Sequence, residues 1–104
     1  MSNAPIDVDF LWVPPHLGGH RGAPYTGMRL QVRWQHHVKD WLDRIWDVEC
    51  VTLSFVEATG EGRGTFRFTS PDPLPDGWLQ VGEPLEMLNG HRVLAVGKIV
   101  GTAR

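Results

Sequence analysis

Five histidines, one cysteine, two serines in the middle of the chain and two pairs of close aspartates are the residues whose types could do chemistry. None falls in a pattern that demands it. His16 and His20 are four apart, a spacing that would stack two imidazoles on a helix, but Gly18-Gly19 between them argues against that helix. His36-His37 are adjacent, so their side chains diverge, whereas zinc needs three or four converging ligands. Cys50, the single cysteine, can form no internal disulfide and no cysteine zinc site. It lies in the apolar run Val48–Leu53 and reads as a buried structural thiol. Ser54 and Ser70 lack the strand–turn–helix setting of a nucleophile elbow. Asp7 with Asp9, and Asp72 with Asp76, read as a strand's wet face and as turn formers, not as an acid–base pair. Thr59-Gly60-Glu61-Gly62-Arg63-Gly64 has the glycine density of a phosphate cradle, but no P-loop lysine follows, so the expectation is a hairpin turn. Catalysis, a metal site and a cofactor are therefore not expected.

The remaining polar residues suit binding instead, and the elements around them follow from periodicity. Met28, Leu30, Val32 and Trp34 alternate with Arg29, Gln31, Arg33 and Gln35. This predicts a strand with one buried face and one wet face, the latter carrying two arginines and two glutamines. Ile6, Val8, Phe10 and Trp12 alternate with Asp7 and Asp9 in a first strand ended by Pro14-Pro15. Residues 14–27 read as a long Gly/Pro-rich loop. Strands are expected again at 48–57, 65–69 and 78–81. A final hairpin joins Leu85–Leu88 to His91–Val100 through Asn89-Gly90, a dipeptide suited to the positive φ angles of a type I′ turn.

One segment breaks the period of two. Val38, Trp41, Leu42, Ile45 and Trp46 fall at i, i+3, i+4, i+7 and i+8, opposite Lys39, Asp40, Asp43, Arg44 and Asp47. This predicts a short amphipathic helix over 38–46. Too short to stand alone, it must dock its apolar stripe, on the protein's own sheet or on a second chain. Five tryptophans in 104 residues imply a core of large side chains, with Trp41, Trp46 and Trp78 as candidate anchors for a protein partner.

Length and composition bound the rest. A chain of 104 residues reads as one domain, 6–101, with a disordered start at 1–5. A net charge of −2 lacks the basic footprint of non-specific nucleic-acid binding. No signal-peptide region or long apolar stretch is present, so the expectation is a cytoplasmic, non-membrane protein. Many short strands at regular spacing fit a closed barrel or a sandwich.

Both ends of the chain resemble the C-terminal (third) β-barrel domain of translation elongation factor Tu. Gly18-Gly19-His20-Arg21 resembles that domain's Gly-Gly-Arg-His with the basic residues exchanged. Gly27-Met28-Arg29-Leu30-Gln31 resembles its Gly-Tyr-Arg-Pro-Gln. Leu85 to Gly97, through Asn89-Gly90-His91-Arg92, is similar to its closing hairpin. Segment 38–46 has no counterpart there. The resemblance implies an all-β fold, a closed six-stranded antiparallel barrel, here with the helix inserted around 38–46. It also implies a translation-related binding module that contacts tRNA or a translation-related protein through His20, Arg21, Gln31, Asn89 and Gly90. Arg29 and Arg33, on the wet face of the same strand, join that candidate set. Two alternatives remain: an inhibitor or immunity-type protein using exposed tryptophans, and a small enzyme or ligand carrier with a pocket at the barrel mouth.

Overall fold

A computed structural model describes residues 4–19, 22–35, 46–70, 74, 77–90 and 92–102. Six strands account for most of them: β1 (Ile6–Trp12), β2 (Arg29–Trp34), β3 (Trp46–Val56), β4 (Glu61–Phe68), β5 (Pro84–Asn89) and β6 (Arg92–Thr102). All neighbours run antiparallel in the order β1-β4-β3-β2-β5-β6, and β6 pairs with β1 to close a barrel. Closure follows from the patterning: every strand has one apolar face, and a cylinder buries all six faces without leaving an edge.

The alternating residues point where their period requires. Ile6, Val8, Phe10 and Trp12 of β1 and Leu30, Val32 and Trp34 of β2 are buried, with Trp34 fully enclosed. In β3 the inward set begins at Trp46, Val48 and Cys50 and then changes phase. Cys50 and Thr52 pair with successive β4 residues, Phe66 and Thr65, so Val51 is a bulge residue. After it Leu53 and Phe55 pack on the core. One extra residue in one strand reverses which side chains face inward, and it tightens the local twist that closure needs. A similar shift in β6 leaves Leu94 and Ala95 both buried.

Two aromatic groups fill the cylinder. Phe10 lies against Trp12, Phe55 and Phe66, with centroids 6.3, 6.5 and 6.3 Å away. Trp34 meets Trp46 at 6.0 Å, Phe68 at 6.2 Å and Trp78 at 5.2 Å. The Trp34 indole N–H donates to the Trp78 carbonyl at 2.9 Å, which satisfies a donor that burial would otherwise strand.

Several expectations need correction. The predicted helix over 38–46 lies outside the described residues except for Trp46, which opens β3 instead. Residues 61–64 belong to β4, and the β3–β4 turn is 57–60, closed by the Gly60 N–H on the Val56 carbonyl at 2.8 Å. Gly62 and Gly64 belong in the strand because a Cβ at either would strike the ring of Phe10 or Phe66. Residues 78–81 form turns, not a strand: Trp78 is drawn into the core as a plug. Asn89 is the last residue of β5 and pairs with Arg92, so the last turn starts at Gly90, where φ is +64°, and Asn89 has no positive φ.

Candidate recognition face

Alternation places the wet residues of β2. Leu30, Val32 and Trp34 point inward, so Arg29, Gln31 and Arg33 point outward. Register then sets their neighbours: Gln31 sits between Asp47 of β3 and Leu88 of β5. Asn89 and the turn glycine, Gly90, follow Leu88. The result is a shallow cavity of about 260 Å³ on the barrel wall, lined by Arg29, Gln31, Asp47, Thr69, Asn89 and Gly90 among others. Among the described residues, nothing lies within 4 Å of where a Gly90 Cβ would sit, so its backbone is open to a close approach. Thr69 anchors the floor: its N–H and its hydroxyl both donate to the Asp47 carbonyl, at 2.9 and 3.3 Å.

The structure thus unites Arg29, Gln31, Asn89 and Gly90 and leaves Arg33 apart. Arg33 forms an ion pair with Glu86, its cross-strand partner, at 2.6 Å, with a second bond from Nε at 2.8 Å. His20, Arg21 and Trp41 lie outside the described residues. Trp46 and Trp78 are corrected: at 1% and 4% exposure they are core residues and cannot anchor a partner. Asp47 and Thr69 were missed. Asp47 falls on the polar arc of the predicted helix, although its spacing from Glu49 continues the wet face of β3.

Arg33, Arg63 and Arg67 on the outer wall are each paired with a carboxylate. Arg63 grips the Asp9 carboxylate through two nitrogens, Nε on one oxygen and Nη2 on the other at 2.8 Å. The Arg63 hydrogen bond beside Asp9 holds its carboxyl below the usual carboxylate range. Arg67 pairs with Glu49, the residue opposite Arg29. Arginines 29, 33, 63 and 67 therefore interleave with Asp9, Asp47, Glu49 and Glu86, and no basic patch forms among them. Inside the barrel, burial pushes the Cys50 thiol up from its usual value, as expected of an inert structural cysteine. No three His, Cys, Asp or Glu side chains among the described residues could hold a metal ion.

No protein-family model matches the chain. No curated protein matches it. No helix among the described residues is long and apolar enough to cross a membrane.

Proposed function

We propose that this chain is a non-enzymatic binding module that recognises a macromolecule through the cavity between β2, β3 and the β5–β6 turn. The observation that supports it is the convergence of Arg29 and Gln31 with Asn89 and Gly90, from distant parts of the sequence, around one hollow. The hollow offers donors (Arg29, Gln31, Asn89), acceptors (Asp47, Gln31, Asn89) and an open glycine backbone, the equipment of hydrogen-bond and shape recognition. The resemblance to a translation-factor barrel makes tRNA the first partner to test. Arg33, Arg63 and Arg67 are paired with carboxylates, and Arg29 is the one cation among the described residues that line the hollow, so counterion release supplies little affinity. Recognition then rests on the hydrogen-bonding set, and salt dependence is expected to be shallow.

The test is a gel shift of bulk tRNA in moderate salt with the native chain and with the Arg29→Ala/Asn89→Ala double variant. A shift that the variant loses supports the RNA form of the reading. Unchanged mobility at about 50 µM protein, where even a weak specific site would be half filled, refutes it. A protein partner captured from the source cell by the native chain and lost by the variant supports the module with the other class of partner. Equal capture by both refutes the cavity as the site.

A further inference from the structure

At the opposite end of β1 from Ile6, a second and larger cleft opens at the barrel mouth. It holds about 470 Å³ between the start of the β1–β2 loop and the β3–β4 turn, within the size range of small-molecule sites. Leu11, Trp12, Pro15, Leu17 and Phe55 contribute its large apolar side chains. Leu11 is 49% and Leu17 69% exposed, an unusual placement for two leucines beside a half-buried phenylalanine.

The cleft is rigidly built. Trp12 ties both sides together: its backbone N–H donates to the Gly60 carbonyl at 2.8 Å and its indole N–H to the Gly22 carbonyl at 3.1 Å. On the loop side, Pro15–Leu17 forms a single 3-10 turn closed by Gly18 at φ +92°. Gly19 then folds back so closely on Val13 that a Cβ there would lie 1.9 Å from the Val13 carbonyl oxygen. A site with walls fixed in advance loses little on binding. Its polar inventory is short. The Gly60 and Gly22 carbonyls are taken by Trp12, and the Thr59 hydroxyl oxygen accepts the Glu61 N–H at 3.3 Å. Glu57 is the one charged residue in the described lining, and its carboxylate has no partner among the described residues.

We propose that this cleft binds a small apolar ligand carrying an amine, with its hydrocarbon or aromatic body against Leu11, Leu17 and Phe55 and its ammonium beside Glu57. The site is separate from the cavity at Arg29 and Asn89 and does not depend on it.

A matched probe series tests this: 4-phenylbutylamine, 4-phenylbutanol and 4-phenylbutanoate, titrated into the ¹⁵N-labelled full chain. The reporters are the Trp12 indole N–H and the Gly60 amide. The Trp34 indole N–H, at the other aromatic group, serves as a control for folding and location. An exposed ion pair is worth about threefold in affinity, so the amine is expected to bind about threefold tighter than the alcohol and the carboxylate about threefold weaker. Glu57→Gln should erase that order. The proposal is overturned if no saturable shift appears at Trp12 by about 10 mM probe, weaker than any useful site. It is equally overturned if the three probes bind alike, or if Glu57→Gln keeps the order.

Discussion

Gly62→Ala should destabilise the barrel, and Phe10→Leu should rescue it. Phe10 of β1 pairs with Gly62 of β4 on one side and Gly97 of β6 on the other. A Cβ at Gly62 would lie 2.4 Å from the tip of the Phe10 ring. That ring is held by Trp12, Phe55 and Phe66 and cannot swing away cheaply. Overpacking of this kind costs about 1–3 kcal/mol. Replacing a strand glycine with alanine would otherwise gain about 0.5–1 kcal/mol. The net expectation is a loss of about 1–2 kcal/mol. Gly97 differs: its Cβ would meet the Asp9 carbonyl oxygen at 2.3 Å and the Phe10 Cα at 3.0 Å, backbone atoms that no side-chain change moves. Gly97→Ala should therefore cost about 2 kcal/mol or more. Phe10→Leu shortens the ring but keeps the backbone. The double variant with Gly62→Ala should show a favourable coupling of about 1 kcal/mol, while that with Gly97→Ala should be additive within about 0.5 kcal/mol. Urea midpoints at constant slope measure each corner of the two cycles, and melting temperatures should follow at about 4–8 °C per kcal/mol. If Gly62→Ala stabilises the chain, or Phe10→Leu rescues both variants equally, the inward packing of Phe10 against Gly62 is wrong.

Trp34→Phe removes the donor to the buried Trp78 carbonyl; a loss of about 2–3 kcal/mol is expected from the lost hydrogen bond and lost volume, read from the urea midpoint. Asp9 titrates lower in the folded chain because of Arg63, so its contribution is present above about pH 4 and disappears as pH falls through the folded value; Asp9→Asn should flatten that acid limb of the stability profile. Cys50 titrates higher when folded because it is buried. Its contribution is full below the unfolded thiol's pKa of about 8.5 and declines above it, because the unfolded chain ionises first; Cys50→Ser should remove that alkaline decline. Gly90→Ala should cost about 1 kcal/mol in thermal melts, since Gly90 holds φ +64°, a region that alanine occupies only with strain.

The cylinder was legible wherever a strand keeps a strict period of two and one face stays wet. β1 and β2 satisfy both conditions, and their inward residues match the alternation. β3 does not: the bulge at Val51 shifts its phase midway, and its first residue, Trp46, fits a helical period equally well. The glycines of β4 read as a turn because a lone sequence cannot show that Phe10 and Phe66 fill the missing side-chain space. Trp78 reads as strand because a large aromatic bounded by turn residues has the same signature when it caps a core. For the candidate site, Gln31, Asn89 and Gly90 were visible from the resemblance, and Arg29 from the alternation of β2. Asp47 and Thr69 were not: Asp47 fits a helical arc equally well, and Thr69 reaches it only through the β3–β4 pairing, whose register depends on that bulge. The pairing of Arg33 with Glu86 needs the β2–β5 alignment, which no local pattern supplies.

The strand that opens the cylinder and the strand that completes it run side by side, with Ile6 opposite Thr102. Partners across an antiparallel ladder sit about 5 Å apart. Way in and way out therefore share one spot on the rim, so the whole unit could be spliced into a surface turn of a host protein without prising the host's cut ends apart, much as a pendant hangs from a single link.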